Sequence, residues 1–140
     1  MNDARVFVDT NVLIYAFDID SGRKRDVAAA ILRELWEQRS GSLSMQVLQE
    51  FYTNVTRKLA SPLPRKEARA VVNHFSQWCI DTGTGEILKA FSIEDQSKIS
   101  FWDALIVASA VKAGATRILS EDLNAGQIIA GVKIENPFLQ

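Results

Sequence analysis

Four acidic residues stand where a carboxylate could do chemistry. Asp9 directly follows a strand-like run, and Asp122 lies two residues past another. Glu50 and Asp103 lie within helical patterns. Carboxylates gathered within a few ångströms cannot all stay ionised without compensation, because each raises the pKa of the others. A hard cation with oxygen ligands, Mg²⁺ or Mn²⁺, offsets that repulsion and activates water for attack on phosphate esters. If the four acids converge, we therefore expect metal-dependent phosphate chemistry.

Each acid also has a purely structural explanation. Asp9 could cap the first helix, and Asp103 could form a capping box with Ser100. Glu50 could be solvated at the rim of an apolar stripe, and Asp122 could stabilise a turn. The chain has 17 acidic residues, so suggestive positions are easy to find. Spacing alone leaves both interpretations open.

The sequence has few residues that could bind zinc or act in histidine-based catalysis. The chain has one cysteine, Cys79, and one histidine, His74, which lies in a helical pattern with no partner at ligand spacing. A zinc site and a Ser-His-Asp arrangement are therefore both disfavoured, and we interpret His74 as a surface or packed residue. A single cysteine forms no internal disulfide, which is typical of a reducing compartment.

Composition favours one soluble domain over residues 1–140. Hydrophobic residues make up 47% of the chain, enough for a substantial core. No apolar run approaches the ~18–20 residues that span a bilayer, and no signal-peptide pattern is visible. We expect a cytoplasmic protein with no membrane partner.

The formal net charge of −1 gives by itself no electrostatic case for nucleic-acid binding. Basic residues nevertheless occur in local groups, which are most simply solvated helix faces. These groups are Arg23-Lys24-Arg25, Arg57-Lys58, and Arg65-Lys66 with Arg69.

Alternating strands and helices must position the acids. Apolar and β-branched runs predict strands at Arg5–Val8, Ser42–Ser44, Trp78–Ile80, Thr116–Ser120 and Val132–Glu135. Helical periodicity predicts helices at Asn11–Phe17 with Thr10 as N-cap, Lys24–Gln38, Met45–Lys58, Arg65–Gln77, Glu86–Asp95, and from Ser100 to a cap at Gly114. This alternation predicts an α/β fold with a parallel sheet, in which ligands bind beyond the carboxyl ends of the strands. Asp9 and Asp122 both fall at that edge.

Four stretches resemble the successive acidic motifs of PIN-domain ribonucleases, and within that family the VapC-like toxins of bacterial toxin–antitoxin pairs. In chain order they read VFVDTNVLIYAFD, QVLQEFY, SFWDALIVASA and ILSEDLNAG. The likeness covers essentially the whole chain, through the terminal IENPF. It implies a single PIN-like domain, an α/β/α sandwich whose central parallel sheet has about four or five strands.

The resemblance also assigns roles to residues. It implies that the metal-binding, catalytic acids are Asp9, Glu50, Asp103 and Asp122. Asn11 would orient a carboxylate or a bound water, with Thr10 and Ser120 in support. Glu121 could contribute beside Asp122, although the motif favours Asp122.

The activity that the resemblance implies is a Mg²⁺- or Mn²⁺-dependent endoribonuclease that cuts structured RNA with metal-activated water. It further implies a homodimer and a cognate antitoxin whose C-terminal segment covers the acidic pocket. RNA-backbone contacts would then fall to the basic residues Arg23, Lys24, Arg25, Arg57 and Lys58.

Two other interpretations remain open at this point. A haloacid-dehalogenase-like phosphatase also has an aspartate after its first strand, but it carries a second acid where this chain has Asn11. A PIN-like fold could also serve as a catalytically inactive interaction module. The retention of all four acids argues against that, since a dead site has no physical reason to keep carboxylates that repel one another.

Overall fold

Residues 4–139, the part of the chain that the computed structural model describes, form five strands and six α-helices. The strands are β1 (Arg5–Val8), β2 (Gly41–Ser42), β3 (Ala115–Leu119), β4 (Ile128–Ile129) and β5 (Val132–Glu135). The α-helices are α1 (Thr10–Phe17), α2 (Arg23–Gln38), α3 (Met45–Arg57), α4 (Arg65–Phe75), α5 (Thr84–Ser97) and α6 (Phe101–Lys112), with a 3₁₀ turn at Ser76–Trp78. No helix within residues 4–139 is long and apolar enough to cross a membrane.

The strands form one sheet in the order β2-β1-β3-β5-β4. β2, β1, β3 and β5 run parallel, and β4 pairs antiparallel with β5. Val8 at the end of β1 lies opposite Leu119 at the end of β3. Because parallel strands end at the same edge, the residues that follow β1 and β3 lie beside each other. The predicted α/β fold with a mainly parallel sheet is confirmed.

The core explains why the central strands read as continuous apolar runs. Phe7, Val8 and Ile118 are fully buried, as expected for strands of a parallel sheet that is covered on both faces. Helix α6 is buried at consecutive positions from Ile106 to Ala110, so its second half lies inside the fold, whereas Trp102 in its first turn is exposed. Strand β1, which ends beside Asp9, and helix α6, which carries Asp103, are therefore anchored in the core.

Two local expectations are wrong. Asp9, not Thr10, is the N-cap of α1: its backbone is extended and its side chain accepts from the Thr10 N–H. Trp78–Ile80 is not a strand, because the 3₁₀ turn ends at Trp78 and Cys79 makes only an isolated bridge to Leu43. The Trp78 indole packs so closely on Gly41 that a Cβ there would lie 2.6 Å from the ring. The bridge consists of two backbone hydrogen bonds, from the Leu43 N–H to the Trp78 carbonyl and from the Ile80 N–H to the Leu43 carbonyl, so the pairing is one residue long.

Strand β4 and its turn were not predicted. Only Ala130 and Gly131 separate β4 from β5, and both have positive φ, at 51° and 84°. This is the backbone of a two-residue type I′ hairpin loop. The remaining predicted elements agree with the structure to within about two residues, the ordinary scatter of element ends.

Candidate active site

Asp9 lies at the exit of β1 and is only 6% exposed. Its two carboxylate oxygens face different elements: Oδ1 accepts from the Thr10 N–H at 2.8 Å, and Oδ2 accepts from the Ser120 hydroxyl at 2.7 Å. Thr10 begins α1, and Ser120 directly follows β3. The first acid is thus fixed between the two central strands of the sheet.

Ser120 is fully buried and connects Asp9 to the loop that carries Asp122. Its hydroxyl donates to Asp9 and accepts from the backbone N–H groups of Asp122 and Leu123, at 3.1 and 3.3 Å. Asp122 itself is exposed. One hydroxyl therefore sets the position of the loop relative to the first acid.

Asn11 holds the same loop from the other side. Its Nδ2 donates to Asp122 Oδ2 at 3.0 Å, and its Oδ1 accepts from the Glu121 N–H at 3.1 Å. The amide thus uses both of its ends on two successive residues. This is the contact expected of a group that orients a carboxylate.

Glu50 reaches this end of the sheet from α3. Its Oε1 accepts from the hydroxyl of Thr10, which is buried, at 2.6 Å, and its Oε2 lies 3.4 Å from Gln46 Nε2. The Asn54 amide, one turn further on, donates to the Glu50 backbone carbonyl and not to its side chain. Gln46 Oε1 is buried and has no hydrogen-bond partner among residues 4–139.

Asp103 lies in the first turn of α6. Its backbone N–H donates to the hydroxyl of Ser100, the N-cap, at 3.1 Å. Burial raises the pKa of Asp103, the Ser100 hydroxyl opposes that rise, and the charges of Asp122 and Glu50 add to it. Asp103 therefore lies within electrostatic reach of two other acids, and its capping contact coexists with that placement.

Charge–charge interactions connect the four acids. Burial raises the pKa of Asp9 to about 6, against hydrogen bonds from Ser120 and Thr10 that lower it. The negative charges of Asp122 and Glu50 raise it further. The structure thus brings Asp9, Glu50, Asp103 and Asp122 to one end of the molecule.

The fit of a metal rests on the chemistry of these donors. Among residues 4–139, no three acidic, histidine or cysteine side chains stand close enough together to form a ready-made metal site. The carboxylates are instead bonded to Thr10, Asn11 and Ser120. All candidate ligands are oxygens, and Gln46 adds a buried oxygen beside Glu50, so the set suits a hard cation. Sharing one ion requires these side chains to draw closer than they stand.

Glu121 has a separate set of partners. Its carboxylate pairs with Lys24 and accepts a hydrogen bond from the Tyr15 hydroxyl. The Lys24 ammonium also lies 4.9 Å from the Tyr15 ring centroid and 5.8 Å from that of Phe138. Burial alone would raise the pKa of Glu121, but the contacts with Lys24 and Tyr15 bring it below the ordinary value.

This cluster changes the picture given by the sequence. Lys24, expected as an RNA contact, is paired with Glu121, expected as a possible extra acid. Sequence reasoning missed Tyr15 altogether, although its place one helical turn after Asn11 put it on the same face of α1. Of the other basic residues, Arg23 and Arg25 are exposed at the start of α2, and Arg57 and Lys58 are exposed at the end of α3.

A known protein family matches most of the chain. Residues 6–128 match the model of the PIN domain, and the chain belongs to the PIN-domain family. The match removes the basis for a haloacid-dehalogenase-like phosphatase. A comparison with curated protein sequences gives no significant match.

Solved structures share the fold over nearly the whole chain. A toxin–antitoxin complex from Klebsiella pneumoniae has 19% identity and a TM-score of 0.69, over 96% of this chain and 98% of that one. VapBC from Salmonella typhimurium, solved bound to DNA, has 19% identity, a TM-score of 0.66 and coverage of 96% and 98%. Mycobacterium tuberculosis VapC20, a sarcin–ricin loop cleaving toxin, has 20% identity, a TM-score of 0.62 and coverage of 84% and 89%.

Proposed function

We propose that this protein is a Mg²⁺- or Mn²⁺-dependent endoribonuclease, the toxin of a type II toxin–antitoxin pair that acts in the cytoplasm. The observation that carries the proposal is the hydrogen-bonded network at the carboxyl edge of the sheet. It runs from Asp9 through Ser120 to the Asp122 loop, and Thr10 adds Glu50. PIN domains are a family of nucleases that typically use divalent metals, and the structural neighbours are toxins of toxin–antitoxin complexes.

The residues divide into ligands and supports. Asp9, Glu50, Asp103 and Asp122 would hold the cation, while Asn11, Thr10 and Ser120 keep these carboxylates in position. A bound divalent cation supplies activated water and offsets charge on the phosphate. The chain's own contribution is to hold carboxylates from four separate segments, with Glu50 and Asp103 on helices, Asp9 at the end of β1, and Asp122 on a loop that Ser120 and Asn11 fix. His74 stacks on Trp36 at 4.0 Å and is engaged there, so we assign no general base to it.

Exposed apolar surface supports the proposed protein partners, a second copy of the chain and an antitoxin. Met45 is 54% exposed and Trp102 is 62% exposed, and with Ile87 they line a cavity of about 350 Å³. Leu88 and Phe91 are also exposed on α5. Apolar side chains left open in this way are typical of protein–protein interfaces. A basic antitoxin side chain placed among the four acids would form charge-assisted hydrogen bonds.

The test is cleavage of RNA by the purified protein, followed by mapping of the cut ends. We expect the wild type to cut in MgCl₂ and not in EDTA, and Asp103→Asn to lose the activity. Asp95→Asn is the matched control and should cut normally, because Asp95 is an exposed acid on α5 whose side chain makes no hydrogen bond or ion pair among residues 4–139. If the wild type cuts no RNA with Mg²⁺ or Mn²⁺, the protein is an inactive interaction module. If Asp103→Asn cuts as well as the wild type, the acidic site is not the catalytic one.

A further inference from the structure

A polar pocket of about 330 Å³ lies between the end of α3 and the start of α4. It is distinct from the acidic end of the sheet and shares no lining residue with the acidic network. Its walls are made by Tyr52, Thr53, Thr56, Arg57, Arg65 and Arg69. Three of the six are arginines, and none is acidic.

The positive charge of this pocket is not compensated by the protein. Within residues 4–139, none of the three arginines forms an ion pair, and neither the Arg57 nor the Arg65 side chain makes a hydrogen bond. Arg69 Nε donates to the Tyr52 hydroxyl at 3.2 Å, and its guanidinium lies 5.9 Å from the Tyr52 ring centroid. That contact fixes one guanidinium and leaves its charge unpaired. Three uncompensated guanidinium groups at one pocket favour an anionic ligand.

The donors available also match a phosphate. Guanidinium groups bind phosphate oxygens in bidentate fashion, and two of the three here are free to do so. Thr53 and Thr56 direct their hydroxyl protons to helix carbonyls, which leaves the arginines as the donors. Helix α4 also begins at Arg65 without a side-chain cap, so its first N–H groups add positive potential.

The distance between this pocket and the acids suits a single RNA strand bound at both. Glu50 and Arg57 are seven residues apart on α3, so at ~100° and ~1.5 Å per residue they share one helix face about 10 Å apart. That span equals about three stacked nucleotides at ~3.4 Å each. A strand with one phosphate at the acids could therefore place another at the arginines.

We propose that Arg57, Arg65 and Arg69 form a phosphate-binding subsite that holds the RNA strand upstream or downstream of the cut. The subsite rests on the proposed function, because it serves the substrate of that nuclease. An RNA strand is favoured over an acidic peptide because four carboxylates repel a polyanion, and a cationic anchor at fixed distance offsets that repulsion. The exposed apolar cavity at Met45 and Trp102, which would suit a protein partner, has other lining residues. A second apolar cavity adjoins the pocket at Tyr52 and Arg69, but neither Arg57 nor Arg65 lines it.

The experiment measures binding without cleavage. A fluorescein-labelled oligouridine is titrated with the full-length protein in EDTA, and fluorescence anisotropy is followed over a range of salt concentrations. The test variant is Arg57→Ala with Arg65→Ala. The control is Lys66→Ala with Lys112→Ala, which removes the same charge from exposed positions that do not line the pocket; Lys112 lies at the end of α6 opposite Asp103.

We expect the arginine pair variant to bind at least tenfold more weakly and to lower the slope of log K against log salt by about 1.4, since each phosphate contact to a single strand contributes ~0.7. The lysine pair should leave both quantities unchanged. Equal losses in the two variants would reduce the effect to net charge and overturn the subsite, as would an unchanged slope. Displacement of the labelled oligouridine by an Asp/Glu decapeptide at a lower concentration than unlabelled oligouridine requires would assign the pocket to an acidic peptide instead.

Cleavage is measured separately, so the two proposals fail differently. Arginine-dependent binding by a protein that cuts no RNA would keep the subsite and remove the nuclease. Cleavage by the wild type with arginine-independent binding would do the reverse. Circular dichroism of each variant checks that these exposed substitutions leave the fold intact.

Discussion

The hydroxyl of Ser120 donates a 2.7 Å hydrogen bond to Asp9, although the two residues are 111 positions apart. The bond connects the ends of β1 and β3 where a buried carboxylate needs a donor. The same oxygen accepts from two backbone N–H groups of the Asp122 loop. Ser120 therefore couples the stability of the sheet edge to the placement of two acids.

Ser120→Ala should lower the free energy of unfolding by about 1–3 kcal/mol, because it leaves a buried carboxylate oxygen, the buried Leu123 N–H and the partly buried Asp122 N–H without their partner. Urea denaturation measures the change. The matched control is Ser76→Ala, an exposed serine whose hydroxyl donates to the Asn73 carbonyl at 2.6 Å. A loss as small as that of the control would mean that the Ser120 bonds contribute little.

Asp9→Asn should stabilise the metal-free protein in a pH-dependent way. The pKa of Asp9 is raised from 3.8 to about 6, mainly by burial, so its charged form costs stability. That cost is absent below the unfolded pKa and grows until pH passes the folded pKa. The stability of the variant relative to the wild type should therefore rise by about 3 kcal/mol between about pH 4 and pH 7.5.

Urea unfolding at both pH values in EDTA measures this difference. Asparagine is also a good N-cap, so the helix start is preserved. Any stability lost through a weaker hydrogen bond with the Ser120 hydroxyl is the same at both pH values, so it cancels in the comparison. Asp95→Asn, at an exposed position, should show no such rise. A difference between Asp9→Asn and wild type that stays flat with pH would contradict the raised pKa.

Divalent cations should stabilise the wild type more than Asp9→Asn. A ligand that binds only the folded state raises stability by an amount set by its affinity, and the variant lacks one of the proposed ligands. Thermal unfolding with and without MgCl₂ gives the shift for each protein. Equal shifts in the two proteins would remove Asp9 from the metal site.

Lys24→Met tests whether Lys24 holds Glu121 or contacts RNA. If it neutralises Glu121, its loss frees a negative charge beside the acids and weakens binding of oligouridine in EDTA. The same substitution made together with Glu121→Gln should then have little further effect. A loss of affinity that is equal in the wild-type background and in the Glu121→Gln background would instead make Lys24 a direct phosphate contact.

Ala130→Gly should raise stability by about 0.5–1 kcal/mol, because Ala130 has a φ of 51° in the hairpin loop and glycine adopts that backbone without strain. Thermal unfolding measures the gain. The reverse change at the neighbouring position, Gly131→Ala, where φ is 84°, should destabilise the protein. If Ala130→Gly lowers stability, the backbone of Ala130 is not strained in the wild type.

Sequence reasoning worked where the signal is local. Helix caps, apolar periodicity and chain breaks predicted most elements because each depends on residues within a few positions. The Trp78–Ile80 prediction was wrong because Trp78 ends a 3₁₀ turn and pairing is confined to Cys79 with Leu43, a distant residue that the local pattern does not indicate. The two-residue strand β4 is too short to give a pattern of its own.

The acidic group shows the same limit at longer range. Spacing did not bring Asp9, Glu50, Asp103 and Asp122 together; family resemblance supplied that expectation, and their roles as ligands remain a prediction. The pairing of Lys24 with Glu121 spans 97 positions and joins two residues that the sequence had assigned to different tasks. Nothing in either local context indicates the other partner.

The place of β3 in the sheet has a consequence for timing. This strand lies between β1 and β5, yet it and the Ser120–Asp122 segment follow helices α1 to α6 in the chain. Proteins form from the N-terminus as the ribosome proceeds, so a nascent chain that stops short of Asp122 lacks the last member of the acidic group. The acidic group is therefore completed only after all six helices have been synthesised.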